Sequence, residues 1–237
     1  DNPDVRLALA KSIDRTKLTQ DVLKGTDTAI QTFIPKGMNG YNPSLGDPQK
    51  FDPAGAKALL QKAGVTPAQL SKFKLLTRDT TRNKTVNQFI SQQWQDNLGA
   101  SIAVDVIDSK TVTSRIRKGQ FDIYGPDGWG ADYPDQQDWF DIFSSAACHS
   151  LNWGCPNLPG YDQTVQKADS GTTDSARNRL YQQAQKQLVD TAAVGFLYQQ
   201  AEYNLIRPYV RGLTITAIDD EFIPGDFYYR DVYIASH

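Results

Sequence analysis

Apolar side chains recur at helical spacing in the opening stretch DVRLALAKSI. Val5, Leu9 and Ile13 share one face there, and Pro3 stands where a helix begins. Asp14 offers a cap for a second helix, RTKLTQDVLKG, closed by Gly25. The periodicity then fails through TDTAIQTFIPKGMNGYNPSLGDPQK, whose glycine, proline and asparagine predict a loop. Asp52 and Pro53 open a further helix, PAGAKALLQKAG, which has a cap, a proline in its first turn and a terminal glycine.

Beyond Lys72 the pattern alternates. FKLLTR reads as a strand, and RNKTVNQFISQQWQDNLG as an amphipathic helix with Val86, Phe89, Ile90 and Trp94 inward. SIAVDVID is a strand with Ile102, Val104 and Val106 on one face. SKTVTSRIRKG is a helix and FDIYGP a third strand. This order implies parallel pairing through right-handed crossovers, and ligands of such sheets sit beyond the carboxyl ends of strands. The segment FDIYGPDGWGADYPDQQDWF starts at such an end. YDQTVQKADSG and TDSARNRLYQQAQKQLVDT predict two more helices, the second capped by Thr173 or Asp174. AVGFLYQQAEYNLI predicts an apolar strand region, and YVRGLTIT, EFIPG and FYYRDVYIA predict short strands.

Composition narrows the function classes. The 237 residues suffice for one large domain or two small ones, and with 39% apolar and 22% charged residues the chain is of ordinary globular type. A net charge of −2 with scattered signs gives no basic face for nucleic acid. No apolar run is long enough to span a bilayer. The start at Asp1-Asn2-Pro3 is expected to be that of a mature or excised segment. Cys148 and Cys155, in CHSLNWGC, suit a small disulfide-closed loop worth roughly 2–3 kcal/mol, with unpaired thiols the alternative. A metal site through His149 lacks further Cys or His ligands. The disulfide would place the protein outside the reducing cytoplasm.

The candidate chemistry gathers in residues 121–140. With only His149 and His237, and no serine elbow or phosphate-binding glycine loop, an enzyme has little to work with. The carboxylates Asp122, Asp127, Asp132, Asp135, Asp138 and Asp141 leave open a hydrolase pair or a calcium site. The favoured reading is a socket for an ammonium group. Asp132 would supply charge-assisted hydrogen bonds and Trp129 a cation–π face. Gly128, Gly130 and Ala131 are small enough for a ligand backbone to approach. The alternative has Trp129 in the core and Asp132 capping a helix that begins near Pro134. Tyr133, Tyr124, Trp139, Asn152 and Trp153 are further wall candidates, more readily explained as packing or loop residues. Arg78 is either solvated or turned toward a ligand carboxylate, and Trp94 belongs to the core.

DVRLALAKSIDRTKLTQDVLKG, FDIYGPDGWGADYPD, YDQTVQKADSGTTDSARNRLYQQAQKQLVDTAAVGFLYQQ and the closing RDVYIASH, in that order, resemble the C-terminal lobe of extracytoplasmic solute-binding proteins of peptide ABC transporters, family 5. The resemblance implies an α/β fold, a type II periplasmic-binding-protein-like lobe with a central mixed sheet flanked by helices. Residues 1–202 would form the lobe and residues 203–237 a tail returning to the other lobe. It implies a non-enzymatic importer component that binds peptides or similar small solutes between two lobes, with an extracellular hydrolase using the Asp-rich loop as the alternative. Asp132 corresponds to the family's grip on a peptide amine and Trp129 to its neighbouring tryptophan. The pocket is expected to be acidic and free of arginine. The expected partners are the ligand and an ABC-transporter permease, without cofactor or nucleic acid, for a monomer in the periplasm or on the surface as a lipoprotein. The short cysteine loop is not a general family feature.

Overall fold

The computed structural model describes residues 2–215 and 226–236. Helix α1 (Pro3–Lys11) is capped by the Asn2 side chain, which accepts from the Asp4 amide. Its Val5 and Leu9 pack on a core that contains Ile13. Asp14 caps α2 (Arg15–Lys17) through the Lys17 amide, and the chain then widens into a π-turn, Leu18–Val22. The predicted second helix therefore forms but is not uniformly α-helical.

The predicted loop is more ordered than its composition implied. It holds strand β1 (Thr28–Ala29) and a 3₁₀ helix, Pro43–Gln49. Buried glutamines replace the missing repetitive pattern. Gln185 Oε1 accepts from the Phe33 and Ile34 amides, and Gln49 Nε2 donates to the Val189 and Val194 carbonyls. A buried segment must satisfy its backbone groups somehow, and here side chains from distant elements do it.

Helix α3 (Pro53–Lys62) follows its Asp52 cap, and the short α4 (Pro67–Leu70) has a reciprocal Thr66–Gln69 capping box. Strands β2 (Lys74–Arg78), β3 (Ala103–Ile107) and β4 (Ile123–Tyr124) form a parallel sheet in the order β3-β2-β4, joined by α5 (Thr81–Leu98) and α6 (Ser109–Arg117). Helix α5 buries Val86, Ile90, Trp94 and Leu98 and ends at left-handed Gly99. Each such side chain contributes roughly 1.5–3 kcal/mol when removed from water. The buried Trp94 donates its indole N–H to the Leu9 carbonyl at 3.0 Å, so this core tryptophan costs no unpaired polar group. Ile102, just before β3, and Val104 on it meet the core but Val106 is exposed, a departure from the predicted single face.

Helix α7 (Gln137–Phe140) follows the candidate loop, and α8 (Tyr161–Asp169) and α9 (Asp174–Asp190) pack as a pair. Thr173 caps α9 through the Ala176 amide. A second core joins Phe140, Tyr161, Val165, Tyr181, Leu188 and Phe196. Of the predicted strand region 193–206, β5 (Tyr198–Gln199) forms, antiparallel to β1, and residues 200–208 are exposed. Strands β6 (Val210–Arg211) and β7 (Tyr233–Ile234) pair with each other. EFIPG lies outside the described residues, and Asp226–Asp231 is 3₁₀ helix where a strand was expected. The α/β fold class holds. Among the described residues, however, the expected central mixed sheet is three small sheets, one parallel and two antiparallel, because β1, β5, β6 and β7 are only two residues long.

Candidate ligand-binding site

The loop after β4 leaves the sheet at its carboxyl edge, where the Gly125 amide still bonds to the Leu76 carbonyl. Asn87 Nδ2 from α5 takes the Gly125 carbonyl at 2.7 Å, and the Gly125–Pro126 peptide is cis.

Trp129 is half-buried against the second core and Ala131 lies within it. Asp132 and Tyr133 are exposed. Trp129 Nε1 donates to Asp138 Oδ2 at 3.2 Å, and the Asp132 amide donates to the same oxygen at 2.9 Å. Asp138 itself is buried. One carboxylate oxygen therefore registers the indole against the residue that carries the exposed acid. The Asp132 side chain caps no helix, because Asp135 Oδ1 takes the Gln137 amide instead. Ala131 was expected to leave room for a ligand; it is packed into the second core, whereas Gly128 is exposed and Gly130 half-buried. A Cβ at Gly128 would meet open space.

The surroundings are acidic. Burial raises the Asp141 carboxyl above its usual range, and Asp169 and Asp138 add to the effect. Burial also raises the Tyr133 phenol, with Asp138, Asp141, Asp135 and Asp169 contributing. An arginine does stand beside the loop. Arg177 of α9 holds Asp135 bidentately at 2.8 and 2.7 Å, which neutralises that acid and tethers the loop.

The wall candidates separate into two groups. Tyr124 packs beside Leu76, Val112 and Ile116, and its hydroxyl accepts from Arg78 Nε at 3.1 Å. Burial, then the neighbouring Asp127, pushes its phenol up to about 12. Arg78 also donates to Thr113 Oγ1 and the Ser109 carbonyl. Half-buried Arg78 is thus held by internal partners rather than simply solvated. Trp153 packs on the same cluster and donates to Asp127 Oδ2 at 3.0 Å, linking the cysteine loop to the candidate loop. Trp139 is core, edge-on to Phe33 at 5.0 Å, and Asn152 is loop structure, accepting from the Gly154 and Cys155 amides. Cys148 and Cys155 form the expected disulfide. Their sulfurs and His149 are close enough to hold a metal, but the disulfide removes the thiolates such a site needs.

The sequence marks Asp127 and Asp138 only as members of a carboxylate cluster, not as partners of the two tryptophans, and does not mark Arg177. A tryptophan and an acid nine or twenty-six positions apart carry no periodic signal. Only the local excess of aspartate and tryptophan marked the region.

Comparison with known proteins matches residues 1–149 to the family described as bacterial extracellular solute-binding proteins, family 5, middle part. The chain is 30% identical over 240 residues to the periplasmic murein peptide-binding protein of Escherichia coli K12, covering 98% of this chain and 43% of that protein. It is 29% identical over 238 residues to a probable deoxycholate-binding periplasmic protein of the same organism, covering 98% and 43%. The solved Haemophilus influenzae oligopeptide-binding protein in complex with the peptide RPPGFSPFR superposes with a TM-score of 0.78 at 25% identity, over 100% of this chain and 46% of that one. The chain thus spans less than half the length of these proteins.

Proposed function

The chain belongs to the bacterial extracellular solute-binding proteins of family 5, and on that footing we propose that it is one lobe of the receptor of an ABC importer, gripping peptides by their terminal ammonium. The observation that carries this reading is the exposed Asp132 carboxylate, which has no side-chain partner among the described residues and adjoins half-buried Trp129. An ammonium ligand would complete the hydrogen bonding of Asp132 and lie near an indole. Asp138, Asp141 and Asp169 act electrostatically on Tyr133, next to Asp132, and such acidic surroundings favour a cation and disfavour an anionic steroid such as deoxycholate.

Residues 1–202 form the lobe in this reading. Residues 203–237 return toward a second lobe, in keeping with the exposure of Tyr203, Leu205 and Ile206. The two lobes would close by a hinge over the ligand, in the periplasm or on a lipid-anchored receptor, and deliver it to a permease as a monomer. The protein performs no covalent chemistry in this scheme. The segment alone presents one wall of a two-walled cleft and binds peptides weakly.

Titration calorimetry on a full-length protein carrying this segment tests the proposal. Asp132→Asn is expected to weaken binding of free-amine peptides by about tenfold or more, the scale of a charged hydrogen bond. Unchanged affinity removes Asp132 from the role, and turnover on glycoside or peptide panels would favour the hydrolase.

A further inference from the structure

We infer that Asp138 is the positioning residue of this socket, fixing Trp129 and Asp132 to one another and conditioning both for a cation. The inference rests on the proposed role of Asp132. Its geometry is independent of any ligand: a single oxygen, Asp138 Oδ2, accepts the Trp129 indole N–H and the Asp132 amide at 3.2 and 2.9 Å.

Three features make this more than a loop contact. First, Asp138 is 5% exposed and lies between the Asp132 loop and two fully committed core residues, Trp139 and Phe140, so its base is rigid. Bonds from neutral donors to a buried carboxylate are charge-assisted and hold their geometry more strongly than neutral pairs. Second, an indole whose N–H is given to an anion becomes richer in electrons at its faces, which strengthens attraction of a cation to the ring. Third, the loop is fastened on its other side by the Arg177–Asp135 pair. Asp138 registers Trp129 against Asp132, while Arg177 supplies the tether to α9. The charge of Asp138 also adds to the negative potential that an ammonium would meet at Asp132.

The test uses a full-length protein carrying this segment, with a tripeptide library bearing free amino termini and the same library N-acetylated. The wild type is expected to prefer the free-amine library. Asp138→Ala is expected to reduce that preference about tenfold. Asp138→Asn, which keeps a carbonyl acceptor but no charge, is expected to reduce it about threefold, on the scale of charge-assisted bonds. In indole ¹⁵N–¹H spectra the Trp129 resonance, assigned by its loss in Trp129→Phe, should shift in Asp138→Ala and shift less in Asp138→Asn. Thermal melts report folding. Should Asp138→Ala fail to fold, Asp138→Asn decides by the same preference.

Wild-type preference in the Asp138 variants, with Asp132→Asn still defective, overturns the inference and leaves the socket standing. Wild-type preference in Asp132→Asn, or no preference in the wild type, overturns the socket and the inference together.

Discussion

The Arg82 guanidinium reaches from the first turn of α5 to the buried carboxylate of Asp27, Nη2 to Oδ2 at 2.8 Å. The same carboxylate accepts from Thr26 Oγ1 at 3.0 Å and from the Ala201 amide at 3.1 Å. Arg82 in turn lies over the Tyr198 ring, 5.0 Å from its centroid. One buried charge therefore joins α5 to the β1–β5 pair at the point where the chain runs out into the exposed residues after Ala201.

This arrangement predicts an asymmetry. Arg82→Met leaves the buried Asp27 charge without a cation and should cost about 3 kcal/mol. Asp27→Asn keeps a carbonyl acceptor for the Ala201 amide, presents Nδ2 as a donor to Thr26 Oγ1 and releases a half-exposed arginine to water, so it should cost less, about 1–2 kcal/mol. Urea unfolding midpoints check the order, and equal losses would contradict it.

Arg15 is fully buried and, among the described residues, forms no salt bridge with a carboxylate. Its donors go to the carbonyls of Ala10, Ile13, Gln49 and Phe196 and to Gln49 Oε1. Burial depresses its guanidinium to about 10, partly offset by Asp14. Lysine cannot reproduce this planar set of donors. Arg15→Lys should therefore destabilise by about 2–4 kcal/mol, leaving buried carbonyls unpaired. A denaturation midpoint equal to wild type would show that water replaces them.

The Arg177 hydrogen bonds hold the Asp135 carboxyl below its usual range, despite an opposing contribution from partial burial. A depressed carboxyl contributes stability above its unfolded value, near 4, and loses it as pH falls through the folded value. Stability of the wild type relative to Asp135→Asn should shrink on acidification below about pH 4. Melting curves in which the difference is independent of pH would rule this out.

Asp141 has the opposite sign, because burial, Asp169 and Asp138 raise it. Such a group costs stability as pH rises from its unfolded value through its folded one. Asp141→Asn should accordingly be more stable than wild type at pH 7 and lose that advantage in acid. A neutral-pH melting temperature below wild type would refute the assignment.

The Cys148–Cys155 bridge closes a loop with a sequence separation of 7. Replacing both cysteines with serine should cost about 2 kcal/mol by the loop-entropy relation. The same change should loosen Trp153 from Asp127, read as a faster exchange of the Trp153 indole proton. Protection at the wild-type level would show that packing on Phe121 and Tyr124 suffices.

Local signals specified most of the helices. Asn2, Asp14, Asp52 and Thr173 cap where side-chain oxygens precede apolar periodicity, because a cap is a contact between residues three apart or fewer. The alternation after Lys72 likewise matched the parallel β3-β2-β4 sheet. Strand β1 was not legible, since its pairing with β5 joins Ala29 to Tyr198, and no local pattern encodes so distant a partner. The same holds for the site. Asp132 and Trp129 stood out by type and position, but the atom that joins them did not.

The sequence by itself determined where the longer helices start, the strand–helix alternation and the candidate loop at a strand end, because propensity, capping and periodicity act over a few residues. Only the tertiary structure decided which carboxylates brace the candidate loop and which have no side-chain partner. It buried Asp138 beneath Trp129, paired Asp135 with Arg177 and left Asp132 to solvent. Those assignments depend on distance through the folded core and on the cost of burying a charge, neither of which is written in the spacing of residues along the chain.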